Sequence, residues 1–438
     1  MMAGVMTKQI ISLIRPVDTR HNWILWFSVF LLSAGAVRGF ELWSTATGYL
    51  DLRISSKWTS LLAHTPDDSI LYPEKWNAAN LWRVRADLTG RPHQFIAVGI
   101  AYEQRMRFVS ENSGNGVGGG DQFSNAPIPF RIRSGDESIV RIGDSFEYRH
   151  ELDRAYLVAD IGSTECTIGR QSFGMGRGTV FSAVDIFVPF APVDYDREWR
   201  RGIDALRVNI PISNSFSTDL VTALGSDMDS SAACVRVKGF FGGLDGEFIV
   251  ARRYKDTMAA IATSVPVLDA EIHGEIALFN TSDDLLDNGL LKDEQLAVKV
   301  LIGGSYTLDY GAGVMASAEY LYSDFGIKEI SDLPEYLEDD VFLSRLQRGD
   351  LQVLGRHTGM SRISYGFGTE QPITVTWIFS ATDGSGLLMP SVNWSFSDEI
   401  SITAFAYLSY GSHPEEGNLT SQYGDTPTTG LLQLSFYL

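Results

Sequence analysis

Apolar and polar residues alternate with a period of two along most of this chain. Between Ile96 and Phe108 the even positions are mainly apolar, and the odd positions are small or charged. Such alternation is typical of β-strands with one apolar and one polar face. The pattern predicts about eighteen strands, with about sixteen as the alternative. They lie near 42-54, 79-89, 95-109, 146-161, 165-174, 203-212, 216-225, 232-242, 245-255, 257-264, 268-279, 296-308, 312-323, 358-369, 372-382, 387-396, 400-410 and 430-438.

The connections between these strands are sorted by length. The even-numbered connections are tight, about two to five residues. The odd-numbered ones include every long gap, although two of them, near 256 and 383-386, are short; the long gaps are 55-78, 110-145, 175-202, 280-295, 324-357 and 411-429. A soluble sandwich has no reason to sort its loops in this way, whereas an outer-membrane barrel has short periplasmic turns and long external loops. Residues 37-438 are therefore predicted to form one all-β, transmembrane, antiparallel up-and-down barrel.

The first residues have the pattern of an export signal. Lys8, Arg15 and Arg20 precede an apolar run over 23-32, which is followed by Ala34-Gly-Ala36. A charged region, a short apolar region and a small-x-small site are the parts of a cleaved signal peptide. The alternative is a single membrane anchor, but that needs about 18 or more apolar residues. We expect residues 1-36 to be removed and the mature protein to reach the outer membrane of a Gram-negative bacterium.

Composition excludes several classes of protein. The chain has 35 Lys+Arg against 54 Asp+Glu, a formal net charge of -19, and 2 cysteines. General binding of nucleic acid needs a basic face, which an acidic chain is unlikely to have. Two cysteines are too few for a fold that depends on disulfide bonds. The histidines have no metal-ligand spacing, and no residues form an evident nucleophile-base set. No metal, cofactor or catalytic residue is predicted.

A stretch around 168-210 resembles the alginate-export and porin-like outer-membrane families. In those families a Gly-Arg-Gln strand leads through a long loop into a Gly-x-Asp-Ala-Leu-Arg strand. The corresponding residues here are Gly169, Arg170, Gln171, Gly202, Asp204 and Arg207. The last strand, which ends at Leu438 with Phe436 two positions earlier, resembles the terminal signal used to insert outer-membrane proteins. The resemblance implies a large pore for hydrophilic solutes.

The loop inside this motif, residues 174-201, is predicted to fold inward and narrow the lumen. Ile186, Phe187, Val188, Phe190 and Trp199 lie close together in it, and an exposed loop would rarely carry so many large apolar residues. The alternative is an ordinary surface loop. The charged residues expected at the constriction are Asp185, Asp194, Asp196, Arg197, Glu198, Arg200 and Arg201.

Charged residues recur on the strand faces opposite the apolar ones, so they are predicted to line the pore. Charge facing lipid at mid-membrane would cost roughly 2 to 4 kcal/mol for each residue. The predicted lining residues are Arg83, Arg85, Glu103, Arg105, Arg107, Arg207, Arg236, Lys238, Glu271 and Glu275. Two interpretations stay open. The basic residues form a ladder that attracts anions, or they pair with carboxylates of the lumen and stiffen the barrel.

The sequence favours an outer-membrane pore for passive or substrate-selective diffusion of small hydrophilic solutes, either anionic or saccharide. A barrel sheath that houses a partner of an export or electron-transfer complex is the alternative, and a barrel enzyme is the third class. The expected partners are outer-membrane lipid, lipopolysaccharide and the solute, with a homo-oligomer left open.

Overall fold

The computed structural model describes residues 40–45, 47–110, 128–133, 136–143, 145–281, 296–366 and 372–438. Over these ranges the chain forms twenty β-strands and two short α-helices. The strands are β1 (Phe40–Thr45), β2 (Gly48–His64), β3 (Trp76–His93), β4 (Ile96–Val109), β5 (Asp136–Ile142), β6 (Phe146–Ile161), β7 (Thr164–Gln171), β8 (Ile203–Pro211), β9 (Phe216–Ala223), β10 (Ala232–Phe241), β11 (Leu244–Arg253), β12 (Asp256–Val267), β13 (Ala270–Asn280), β14 (Leu296–Leu308), β15 (Val314–Ser323), β16 (His357–Gly366), β17 (Pro372–Ser380), β18 (Gly386–Ser395), β19 (Ile400–Tyr410) and β20 (Thr428–Tyr437), and the helices are α1 (Leu333–Leu337) and α2 (Asp340–Gln347).

Eighteen of the strands close into a barrel, which confirms the predicted fold class. Each barrel strand pairs antiparallel with the next along the chain, and β2 pairs with β20 between Ser55–His64 and Thr428–Tyr437 to complete the ring. The two remaining strands are additions. β1 pairs with the beginning of β2, and β5 pairs with the beginning of β6. Closure leaves the barrel without an open edge, the general solution to unpaired strand edges.

The prediction placed the first strand at 42-54, and these bounds are wrong. The chain turns between Thr45 and Gly48, where the Thr45 hydroxyl accepts a hydrogen bond from the Gly48 amide at 3.1 Å. β2 then continues to His64. Its outward positions include Ser56 and Ser60, which break the apolar alternation. Both serines bond on the outer face, Ser56 to the indole of Trp82 and Ser60 to the side chain of Asn80.

The connections lie on two sides of the barrel. The short-turn side carries 94–95, 162–163, 212–215, 242–243, 268–269, 309–313 and 396–399. The other side carries the long connections, including residues 172–202, which we call loop 3, and residues 324–356, which we call loop 7. The link between β11 and β12 on that side is only 254–255. β2 starts and β20 ends on the short-turn side, as an even number of strands requires.

The outer wall is apolar. Leu220, Val250, Ile261, Ile276 and Ile302 point away from the lumen and remain exposed. Their inward neighbours in the same strands are mainly small or charged, apart from Val221, Ile249 and Leu301, which are buried in the interior. This arrangement suits a barrel whose outside contacts lipid. In the part of the chain that the structure describes, no helix is both long and apolar enough to cross a membrane.

Loop 7 forms a cap with its own apolar core. Ile327, Leu333, Tyr336 and Phe342 are buried together. Helix α2 begins at Asp339, whose carboxylate accepts hydrogen bonds from the amides of Val341 and Phe342, a standard N-cap. The cap is joined to the end of β11 by the Arg253–Asp350 ion pair and to the beginning of β12 by the Asp256–Arg345 ion pair.

Candidate functional site

The first half of loop 3 is buried inside the barrel. Met175, Phe181, Val184, Ile186 and Phe187 belong to one apolar cluster with inward-facing residues of the wall. Many of those wall residues are alanines, which leave room for the larger side chains of the loop; they include Ala205, Ala223, Ala232, Ala260, Ala277 and Ala297. Burial of these side chains supplies the hydrophobic driving force that holds the segment in the lumen.

Two carboxylates bind the backbone of this half of the loop. Glu275 on β13 accepts hydrogen bonds from the amides of Gly178, at 2.9 Å, and Ala183, at 2.6 Å. Glu319 on β15 accepts from the amides of Val180 and Phe181, at 3.0 and 3.1 Å. These charge-assisted bonds satisfy backbone donors that have no strand partner. The loop is therefore fixed to the β13–β15 wall.

Glycine is required where the loop passes Glu275. Gly176 has φ +97, a left-handed conformation, and a Cβ atom at this position would lie 2.5 Å from the Glu275 carboxylate. Any other residue would be strained and would displace the anchor.

The second half of loop 3 crosses to a different wall. The Tyr407 hydroxyl on β19 donates to the carbonyl oxygen of Val193, and the Tyr195 hydroxyl donates to Thr59 on β2 at 3.2 Å. The Asp196 carboxylate is 2.7 Å from the Lys57 ammonium. Loop 3 thus joins β13 and β15 to β2 and β19, with its chain inside the barrel.

Three cationic side chains contact the ring of Trp199 near the end of loop 3. The ring centroid is 4.2 Å from the Lys57 nitrogen and 5.3 and 5.0 Å from the guanidinium carbons of Arg83 and Arg85. Cation–π contacts of this kind are strongest when they are shielded from water, and Lys57 and Arg85 are both buried. The cations of β2 and β3 therefore lie beneath the loop.

The motif residues around 168-210 hold the two ends of loop 3. Arg170 on β7 forms a bidentate pair with Asp204 on β8, at 2.7 and 2.9 Å. Gln171 donates to the carbonyl oxygen of Ala205 at 3.0 Å. Gly169 has φ +113, and a Cβ atom on Gly202 would lie 2.1 Å from the Asp153 carbonyl oxygen. These side-chain pairs and glycines therefore fix the backbone at both ends of loop 3.

The predicted lining residues of β3 and β4 lie in one network with carboxylates. Arg83 binds Glu103 at 3.0 Å, and Arg85 binds Asp153 at 2.8 Å. Arg105 contacts Glu103 at 3.0 Å and is also paired with Glu151. Arg107 is 3.3 Å from Glu147. This geometry agrees with the interpretation in which the basic residues pair with carboxylates of the lumen, one of the two that the sequence left open.

A second group of predicted lining residues surrounds one carboxylate on β9. Arg207, Arg236 and Lys238 lie 2.8, 2.6 and 3.0 Å from the oxygens of Asp219, which is fully buried. Glu271 is apart from both groups. Its side chain is 50% exposed, and its Oε1 oxygen lies 4.0 Å from the Nδ1 nitrogen of His273.

The charged residues expected at the constriction all take part in holding loop 3. Asp185 pairs with Arg200, and Arg201 pairs with Glu151 of β6. Asp194 accepts a hydrogen bond from the Ala191 amide at 2.9 Å. Arg197 donates to the carbonyl oxygen of Thr179 at 2.9 Å, which ties the second half of the loop to the first. Asp196 and Glu198 both contact Lys57.

The environment of loop 3 shifts two of its ionisable groups. Burial alone would raise the pKa of Asp196, but Arg83 and Lys57 outweigh it and hold the pKa below its usual value. Burial, reinforced by Arg105, lowers the pKa of Arg201 to about 10, although Glu151 opposes the change. Both groups are charged at neutral pH, so the ion pairs of the loop are intact there.

Sequence reasoning missed several residues of this site. Lys57 and Thr59 lie beyond the predicted end of the first strand, because the outward serines obscured the alternation there. Asp219 and Glu319 are inward positions of strands that were predicted, so the parity of β9 and β15 could have identified them. Among the described residues, no group of three or more His, Cys, Asp or Glu side chains is arranged to hold a metal ion.

Comparison with known proteins identifies the fold. No protein-family model matches the chain, and no curated protein matches it. Solved structures do. OccAB1 of Acinetobacter baumannii superposes with a TM-score of 0.52 at 12% identity, covering 89% of this chain and 96% of that one. OccAB4 of the same organism gives 0.50 at 8% identity, covering 89% and 98%. A BenF-like porin from Pseudomonas fluorescens Pf-5 gives 0.50 at 9% identity, covering 89% and 98%. At these identities the likeness shows a shared barrel fold.

Proposed function

We propose that this protein is an outer-membrane pore for the diffusion of small hydrophilic solutes, narrowed by loop 3. The observation that carries the proposal is the course of loop 3, which is bound to two separate groups of strands, β13 with β15 and β2 with β19, inside a closed barrel. The apolar outer wall gives the barrel a surface for lipid, and the charged and hydroxyl-bearing parts of the inner wall give solutes a polar route.

The chemistry of the inner wall suggests what passes. Cations and carboxylates lie side by side on β3, β4 and β6, while the inward positions of β17 to β19 are largely hydroxyl and amide groups, such as Thr374, Ser391, Asn393 and Thr403. Paired charges and hydroxyls suit small anions or saccharides. One of the structures with the same fold carries the name porin.

The same proposal implies how the chain is exported and which molecules surround the barrel. Residues 1-36 would direct the chain out of the cytoplasm as a cleaved signal; they lie outside the described residues. The mature barrel would sit in outer-membrane lipid and lipopolysaccharide, alone or as a homo-oligomer. The alginate-export type of channel, suggested by the motif around 168-210, is one candidate for its class. The proposed role is transport rather than catalysis.

The test is the conductance of the refolded full chain in a planar bilayer. Discrete ohmic steps are expected, and the reversal potential under a salt gradient gives the sign of the preferred ion. A folded barrel that passes no current would contradict the proposal and favour a sheath that houses a partner.

The role of loop 3 can be tested in the same bilayers. Glu275→Gln replaces a charged acceptor by a neutral one, and hydrogen bonds to charged groups contribute about 1.5–3 kcal/mol each. We expect a loosened loop, with larger and noisier conductance steps than the unmodified protein. Glu271→Gln is the matched control, because Glu271 lies on the same strand, is half exposed and lies 4.0 Å from His273 of that strand. Equal traces from both variants would contradict a constriction by loop 3.

A further inference from the structure

The barrel has one seam that differs from all its other strand pairs. β2 and β20 are the first and last barrel strands, so they pair without being consecutive in the chain. Every other neighbouring pair of barrel strands is joined by a connection on one side. If β2 and β20 separated, each would present an unpaired edge, and nothing in the backbone would hold them close.

Loop 3 places a carboxylate across this seam. The Glu198 oxygen Oε2 accepts from the Lys57 ammonium of β2 at 2.5 Å and from the Tyr437 hydroxyl of β20 at 2.8 Å. A single oxygen is thus shared by donors from the two strands that close the ring. Charge-assisted bonds of this kind are about twice as strong as neutral ones.

A second set of contacts bridges the seam two residues further along β2. The Thr59 hydroxyl of β2 accepts from the Gln433 side chain of β20 at 3.0 Å and from the Tyr195 hydroxyl of loop 3 at 3.2 Å. Asp196 adds a second carboxylate to Lys57 at 2.7 Å. Residues 195–198 of loop 3, which we call the strap, therefore make three contacts with β2, to Lys57 and Thr59, and one with β20, to Tyr437.

The β2 residues that the strap contacts are buried, and its contact with β20 is more exposed. Lys57 and Thr59 are 3% and 1% exposed, whereas the Glu198 side chain is 38% exposed and Tyr437 is half-buried. Removing one partner of a buried ionic contact leaves the other without compensation, which costs far more than the loss of an exposed pair. Trp199 also covers the Lys57 ammonium. The strap is therefore held by buried contacts on the β2 side of the seam and by the more exposed Glu198–Tyr437 bond on the β20 side.

We propose that the strap locks the closure of the barrel. Seating of residues 195–198 needs both β2 and β20 in place, and the seated strap resists separation of these strands. Pairing of β2 with β20 and placement of loop 3 in the lumen therefore occur in one coupled step. This inference concerns the assembly of the barrel and holds whether or not the barrel conducts.

Hydrogen–deuterium exchange of the refolded full chain in detergent micelles tests the proposal. Glu198→Gln and Tyr437→Phe should each speed the exchange of the amides paired between 55–60 and 432–437. The expected increase is about tenfold, as the loss of one bond to a charged group implies. Pairs far from the seam, such as those between β12 and β13, should be unchanged.

Tyr407→Phe is the matched control. It also removes a tyrosine hydroxyl that donates to loop 3, but Tyr407 lies on β19 and does not span the seam. It should leave exchange at the seam unchanged. If Glu198→Gln fails to refold, Tyr437→Phe still decides, because it keeps the Lys57–Glu198 pair. Unchanged exchange at the seam in Tyr437→Phe, or equal acceleration in Tyr407→Phe, would overturn the proposal.

Discussion

Individual ion pairs of loop 3 make its seating depend on acidity. The pKa of Asp196 is lowered in the folded chain, so its pairs stabilise the fold above the ordinary range of an aspartate and are lost as the pH falls through the folded-state value. We expect the unfolding temperature to decrease as the pH drops below about 4. Asp196→Asn should remove part of this pH dependence. Thermal unfolding between neutral and acidic pH measures both effects.

The control for this change is Asp67→Asn. Asp67 pairs with Lys75 at 2.9 Å, and both side chains are largely exposed. Such surface pairs contribute little to stability. A pH profile for Asp196→Asn that matches the profiles of Asp67→Asn and the unmodified protein would contradict the expected role of Asp196.

Among the elements, loop 7 depends on one buried aspartate. Asp350 accepts from Arg348 at 2.6 Å and from Arg345 at 3.2 Å, and it is paired with Arg253 at the end of β11. These cations hold its pKa below the usual range against the effect of burial. Asp350→Ala leaves three buried or half-buried arginines with fewer partners, and breaking such a network costs about 3–5 kcal/mol. We expect loop 7 to become a site of limited proteolysis.

The exposed Glu338, in the same loop, provides the comparison. Glu338→Ala removes an acidic side chain that lies on the surface at the end of α1. The rate of cleavage within 324–356 should be that of the unmodified protein. Equal cleavage of the two variants would show that Asp350 does not fasten the loop.

Sequence periodicity located the barrel strands well and their inner contacts poorly. Strands such as β13 and β14 were predicted nearly to their ends, because apolar outward residues such as Ile276 and Val300 recur at alternate positions. β5 was missed, since its pairing with β6 depends on tertiary contact rather than on its own pattern. The parity of a strand tells which residues face inward. It does not tell that Glu275 binds amides of loop 3, because that contact joins distant parts of the chain.

At the scale of the whole molecule, the charge of the inner wall should decide which ions pass. Arg107 is the better residue for a test than Arg105, which is buried between Glu103 and Glu151. Arg107→Glu places a carboxylate beside Glu147 and should shift the reversal potential toward cations. Lys255→Glu makes the same charge change in the exposed turn between β11 and β12. It should give the smaller shift, and an unchanged potential in Arg107→Glu would contradict a charge-lined pore.

The ends of the barrel sequence meet on one edge of β2. Leu438 exchanges backbone hydrogen bonds with Ile54, and Phe40 of β1 pairs with Leu52 on the same edge. A linker of a few residues from Leu438 to Phe40 would therefore not need to cross the barrel. The barrel is therefore suited to circular permutation, in which these ends are joined and new ends are made in a tight turn such as 242–243. In such a permutant β2 and β20 would become neighbours in the chain, and a different pair of strands would have to close the ring without the strap.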